Sequence, residues 1–338
     1  MHASQNRNLP NLSKNHQSLK EKEMRGKQGE RKGQKKPFGG PILRVALYLI
    51  AYVLGTLSAH IPVAVVYVTY LSLVSGVPTE EIAHLLKSLP LVFLVLISII
   101  QLPVVLIITY FFRRFLDRRS FVSLGFEMRR GWMWDVAFGL FLGSILMGFV
   151  FLSQWSVGLL KLEGFAWQVR PLGAIILSLL VYVLLFSTAA FNEEIVFRGY
   201  VLQNLREGWG VIASVVVSSL LFGLFHCLNP HAGPIAIVNV AVSGAAFSYA
   251  YLVTDSLWVP IAFHFSWNFF EGPIFSFPIS GFLCEGLLLT RVGDVNSLVT
   301  GKPFGPEGGL VGAVANLLGF LIIRLWAKRR EGLISTFN

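Results

Sequence analysis

Cysteine is almost missing from this chain of 338 residues: Cys227 and Cys284 are the two present. That is too few for a disulfide framework or a cysteine-based zinc site. Cys227 beside His226 does not make a nucleophile pair, because consecutive helical residues point about 100° apart. Charge is scarce as well, at 14% of residues against 54% hydrophobic ones, a balance that does not suit a soluble domain. Short segments of alternating polarity are missing, which excludes a transmembrane β-barrel. No internal repeat is visible.

What is present are apolar runs of about 20 residues, the length needed to cross a hydrocarbon core of roughly 30 Å as a helix. They fall near 43–74, 89–112, 134–159, 171–206, 210–228, 233–253, 256–272 and 308–327. The fold class expected is therefore all-α, a polytopic transmembrane bundle of about eight spans, with an intramembrane polar cavity. A secretory signal peptide does not fit, since the apolar run from Ile42 is too long for one.

The positive charge is unevenly placed. Residues 1–40 carry ten Lys/Arg between Arg7 and Lys36 against Glu21, Glu23 and Glu30, with few large apolar side chains. They read as a disordered basic tail that can touch anionic lipid, with nucleic acid not expected as a partner. Arg113, Arg114, Arg118, Arg119, Arg129 and Arg130 crowd the second connection, and Lys328, Arg329 and Arg330 follow the last span. The first connection holds Glu80, Glu81 and Lys87. The long one, 273–307, holds Glu285, Asp294 and Glu307 against Arg291 and Lys302. Lys/Arg-rich loops stay in the cytoplasm, so both termini are expected there, in a multi-pass protein of the plasma membrane.

Against this apolar background several polar residues stand out. An ionisable side chain at mid-bilayer costs on the order of 3 kcal/mol on insertion scales, and this chain places Glu193, Glu194, His226 and His264 in such surroundings. The fourth span runs through Asn192-Glu193-Glu194-Ile195-Val196-Phe197-Arg198 and on to Leu205, with Gly208-Trp209-Gly210 as its stop. One helix over that stretch would be roughly 50 Å long. If the chain reverses at Gly208–Gly210, residues equally far from the turn share a depth, and Glu193 then meets His226. Glu194 and Arg198 are i,i+4 with the acid first, the favourable order for an ion pair on one face. Glu193 points elsewhere and is left to a partner or a water.

A lone histidine in an apolar helix is ordinarily a hydrogen-bonded core residue. The depth match instead sets His226, one turn after Phe222, with Glu193 as a general-base pair able to take a proton from water. His264 and Asn268, again i,i+4, offer N–H donors to a developing oxyanion. Glu193, His226 and His264 would alternatively make a zinc site with an open position, although His-Glu-x-x-His is absent. The residues alone leave metal-activated and Glu/His-activated water both open. Counted from the nearby turns, His264 falls a few helical turns short of the depth of His226.

Glu-Glu-x-x-x-Arg, Phe-x-x-x-His and His-x-x-x-Asn, in that order on separate helices, resemble the CPBP family of intramembrane proteases. That family includes type II CAAX prenyl endopeptidases, bacteriocin-processing or bacteriocin-immunity proteins and abortive-infection-like proteins. The resemblance extends from Arg119-Ser120-Phe121-Val122-Ser123-Leu124-Gly125-Phe126 to about residue 327. It implies N-terminal helices over 41–118, a catalytic transmembrane domain over 119–330 and a short tail over 331–338. It also implies about eight helices around a polar cavity opening toward the cytoplasm.

By matching position, Glu193 would be the general base with His226, His264 and Asn268 the oxyanion hole, and Glu194 with Arg198 the support. The family is often labelled metalloprotease, yet the resemblance favours a glutamate-dependent enzyme with no required cofactor; zinc is the alternative. The expected substrate is a membrane-anchored peptide or protein, with a prenylated CAAX-type terminus as one class. A catalytically idle scaffold or immunity protein of the same fold is the second reading. A transporter is the third, disfavoured because related, Gly/Pro-interrupted halves are not seen. The long connection reads as a Gly/Pro-rich cover on the outer side.

Overall fold

A computed structural model describes residues 37–78, 91–293 and 296–336. The basic tail up to Lys36, the charges Glu80, Glu81 and Lys87, and Asp294 lie outside the described residues. Among the described residues, eight long helices carry the fold: α1 (Pro41–Thr69), α2 (Leu91–Phe111), α3 (Trp132–Ser156), α4 (Leu172–Glu194), α5 (Leu202–Phe225), α6 (Pro234–Thr254), α7 (Trp258–Phe269) and α8 (Leu310–Thr336). The last continues beyond the expected boundary at 330. Among the described residues, six helical stretches are long and apolar enough to cross a membrane. The protein is thus an all-α, integral membrane bundle.

Two of the expected spans differ in form. The fourth and fifth form one helical stretch, Leu172–Phe225, interrupted at Gly210, whose φ of 77° and ψ of −176° break the helix. Only glycine adopts that backbone at low cost, so the chain turns back there. The seventh span, α7, has 12 residues and continues as a π-helical turn, Phe270–Ile274. It is too short to cross alone and is held between its neighbours. Gly139 and Gly143 let α3 approach it closely: a Cβ on Gly143 would stand 2.6 Å from Trp267 N, and one on Gly139 2.7 Å from Ala262 Cβ. Small residues at such contacts are how helices associate where lipid supplies no hydrophobic driving force.

One departure from a purely helical chain is a two-stranded antiparallel sheet of β1 (Leu160–Phe165) and β2 (Leu288–Val292), with Leu160 opposite Val292 and Phe165 opposite Leu288. It ties the end of α3 to the long connection, which is therefore a folded cap rather than a plain Gly/Pro-rich cover.

The opposite end of the bundle is held by charge. Asp117, buried, accepts hydrogen bonds from Arg44 (2.7 Å), Arg113 (3.1 Å), Tyr200 (3.2 Å) and Asn204 (3.2 Å). Arg44 also reaches Glu207 at 2.8 Å, and Arg330 forms a two-bonded pair with Asp135, both at 2.8 Å. Several arginines expected as loop charges thus staple helices α1, α2, α3, α5 and α8 at this end.

Candidate active site

The hairpin at Gly210 brings the acid motif and the Phe-x-x-x-His motif together. Phe197 and Phe222 pack edge-on with ring centroids 5.1 Å apart, and Glu193 Oε2 lies 3.9 Å from His226 Nε2. Both pairs are equally distant from the Trp209–Gly210 junction, as a simple reversal requires.

His264 joins them, contrary to the depth counted from its own turn. The counting assumed that the Gly210 turn and the α6–α7 turn lie at one level. They do not: Leu257 N–H donates to Gly125 O at 3.0 Å, and a Cβ on Gly199 would meet Leu257 Cδ1 at 3.4 Å. The α6–α7 turn therefore sits beside Gly199, well up the helix from Gly210. Glu193 is six residues above Gly199 and His264 seven above Leu257, so they come level. His264 Nε2 stands 3.8 Å from Glu193 Oε2.

The two adjacent acids have different surroundings. Glu194 is fully buried; its Oε1 accepts from Arg198 Nη1 at 2.9 Å and pairs with His264 Nδ1 at 2.8 Å. Arg198 Nη2 donates to Gly244 O at 2.9 Å, and its guanidinium lies 4.3 Å from the Phe222 ring centroid and 5.1 Å from that of Phe247. Such a desolvated cation over aromatic faces is stabilised by the ring quadrupoles. Glu193, by contrast, keeps 28% of its side chain exposed, and its Oε2 has no hydrogen-bond partner among the described residues.

His226 ends the helix, and its Nδ1 bonds Phe222 O at 2.8 Å. A ring that donates from Nδ1 presents a lone pair at Nε2, aimed here at the Glu193 carboxylate. His264 stacks on Phe247 at 4.8 Å. Asn268, one turn above, is buried and lines the same cavity. Asn192, beside the acids, is buried with its amide unpartnered, and nothing in the structure explains it.

Glu193, His226, His264 and Asn268 share a cavity of about 510 Å³. Its walls include Leu94, Ile97, Leu185 and Phe186, and the cap supplies Ser280, Phe282, Leu283 and Glu307. Toward the basic end the site is closed by buried Phe197, Phe222 and Phe247. The cavity thus runs away from the basic connections, because aromatic rings and Arg198 fill the other side.

Polar lining residues not picked out from the sequence include His60, Tyr52 and Gln101, the last donating to the Tyr52 hydroxyl at 3.1 Å. His60 and Gln101 carried the signal used elsewhere, a polar side chain in an apolar helix.

Among the described residues no group of three His, Cys, Asp or Glu is spaced to hold a metal ion. Glu193 Oε2 lies within 3.9 Å of His226 Nε2 and 3.8 Å of His264 Nε2. Cys227 is exposed and lies outside the cavity lining. Cys284 does line it, but burial pushes its thiol up to about 12, out of the range of a nucleophile at neutral pH.

A family model described as type II CAAX prenyl endopeptidase Rce1-like matches residues 174–270, a narrower stretch than the motifs and their flanks suggested. No curated protein and no solved structure matches the chain. The matched stretch holds both acids, Arg198, Phe222, both cavity histidines of the motifs and Asn268, and over it the chain is similar to the Rce1-like type II CAAX prenyl endopeptidases.

Proposed function

We propose that this protein is an intramembrane endopeptidase that hydrolyses a peptide bond of a membrane-associated substrate with water activated by Glu193 and His226. The observation that carries this reading is the unpartnered Glu193 Oε2, 3.9 Å from His226 Nε2. Two acceptors at that separation are too far apart for a direct hydrogen bond, and one water between them donates to both. As its oxygen bonds to the scissile carbonyl carbon, that water gives a proton to Glu193. The C–N bond then breaks, and the leaving amine takes the proton.

Asn268 donates to the carbonyl oxygen as it becomes an oxyanion. His264 acts beside it through Nε2; with Nδ1 donating to Glu194, the ring must then carry both protons. Glu194 and Arg198 are positioning residues, since they touch one another and His264 rather than the cavity. No metal is required in this scheme. Both termini lie in the cytoplasm of a cell-membrane protein: Arg113, Arg119, Arg129 and Arg330 gather at one end, and Phe38 N–H is tied there to Leu116 O. The basic composition of residues 1–36 suits anionic lipid.

The test compares purified wild type with Glu193→Gln and His226→Ala on lipidated and unlipidated peptides, with and without chelator. Each variant is expected to lose on the order of 100-fold or more in kcat, the usual contribution of a general base, and chelator is expected to change nothing. Undiminished cleavage by both variants would rule out the mechanism, and chelator loss reversed by zinc would overturn the metal-free scheme. A wild type that cleaves nothing would support the non-catalytic scaffold.

A further inference from the structure

One buried acid takes no part in the hydrolytic scheme. Glu271 follows His264 at i+7 and Asn268 at i+3, so the three share one face of α7 and its π-helical continuation. Its side chain is fully buried, and neither carboxyl oxygen has a hydrogen-bond partner among the described residues. The Trp267 indole, one turn earlier, is near enough to favour a charge there without bonding it. A carboxyl group left in that state is costly in either protonation form, because both forms want partners.

A second acid stands beside it. Glu307 lines the catalytic cavity and is itself buried, and its Oε2 accepts from Ser280 Oγ at 2.6 Å. The backbone brings the two acids together: a Cβ on Gly305, two residues before Glu307, would lie 3.1 Å from Glu271 Oε1. The two carboxyl groups are close enough to act on one another electrostatically. Neighbouring carboxylates repel, and one cation held between them removes the repulsion and supplies the missing partner.

Glu271 is three residues beyond Asn268, about 4.5 Å along the helix axis. An extended peptide advances about 3.4 Å per residue. A cation held by the two acids therefore belongs to a residue within about two positions of the bond polarised at Asn268.

Resting on the protease reading, we propose that Glu271 and Glu307 form a subsite for a cationic group of the substrate. That group is an ammonium or guanidinium within about two residues of the scissile bond, as the helix rise and peptide advance require. Glu307 meets it at the cavity wall, and Glu271 stands behind as the second counter-charge. The rest of the substrate lies along apolar Leu94, Ile97, Leu185 and Phe186, which line the same cavity.

The test uses N-acetylated, Leu/Phe-rich quenched peptides in which one Lys or one norleucine is moved position by position. Wild type in detergent is expected to cleave the best Lys peptide with a kcat/KM at least about 10-fold above its norleucine twin, since a site built for a polar group rejects an analogue without it. Mass spectrometry should place the cut within about two residues of that Lys. Glu307→Gln and Glu271→Gln should each reduce the ratio to below about 3-fold, and Glu307→Lys should favour a Glu peptide over the Lys one. The same peptides with a free amino terminus distinguish the two ammonium sources: a preference seen only in that series assigns the subsite to the substrate's N-terminus. A wild-type ratio near one in both series, or ratios unchanged in both Gln variants, would overturn the proposal.

Binding separates this subsite from the protease reading. Fluorescent Lys and norleucine peptides are titrated into Glu193→Gln protein, with and without Glu307→Gln, and followed by anisotropy. The Lys peptide is expected to bind at least about 10-fold more tightly, and Glu307→Gln should abolish the difference. If wild type cleaves no peptide, the protease reading falls, while the binding preference still decides the subsite. Equal binding of the two peptides, or none, sinks it.

Discussion

Glu193 and Glu194 are neighbours in sequence and opposites in environment. Helical geometry turns them about 100° apart, so one faces the cavity and the other faces Arg198. That division was legible in the i,i+4 spacing. The second partner of Glu194, His264 at 2.8 Å, was not, because it sits on a helix 70 residues on. Arg198→Met is expected to lower stability by about 3–5 kcal/mol, since it strands a fully buried carboxylate. The double variant Glu194→Gln, Arg198→Met should recover most of that loss and little of the activity, because His264 then lacks its carboxylate anchor. Thermal unfolding in detergent checks the first outcome and peptide cleavage the second. Equal activity in double variant and wild type would remove Glu194 from any positioning role.

At the scale of elements, the apolar runs located the helices, although α8 runs to Thr336 rather than ending near 327, and Gly208–Gly210 located the reversal. Sequence periodicity did not show the π-helical turn Ile195–Val201 that follows Glu194 directly. Such turns change the pitch without a composition of their own and occur often at functional sites. Nor did it place α7, whose depth depends on where its turn docks against Gly125 and Gly199. Gly139 and Gly143, spaced as small residues at helix contacts are, admit α7 to α3.

Gly143→Val is expected to displace α7, because even a Cβ there would lie 2.6 Å from Trp267 N. Overpacking of this kind costs about 1–3 kcal/mol. Moving His264 and Asn268 by about 1 Å should reduce kcat by on the order of 100-fold. A Gly143→Val protein with full activity would show that α7 is not positioned by this contact.

For the whole molecule, the two ends are built on different physics. The basic end is locked by buried ion pairs around Asp117 and by Arg330–Asp135, whereas the other end is a folded cap with a small sheet over an open cavity. Asp117→Ala leaves the buried Arg44 and Arg113 guanidinia without their shared acceptor and is expected to cost about 3–5 kcal/mol, seen as a lower Tm in detergent. The folded fraction should keep its cleavage rate per molecule, because Asp117 lies two layers from the site. Loss of rate without loss of Tm would place Asp117 in the chemistry instead.

The sequence by itself determined the class of molecule and the facing of Glu193 and His226, because apolar length, i,i+4 spacing and distance from a glycine turn are local quantities. Tertiary packing alone decided that His264 reaches the same carboxylate, that Glu194 is shared between Arg198 and His264, and which way the cavity runs. Those depend on the relative depth of helices far apart in the chain and on which rings fill the space between them, and no local pattern encodes either.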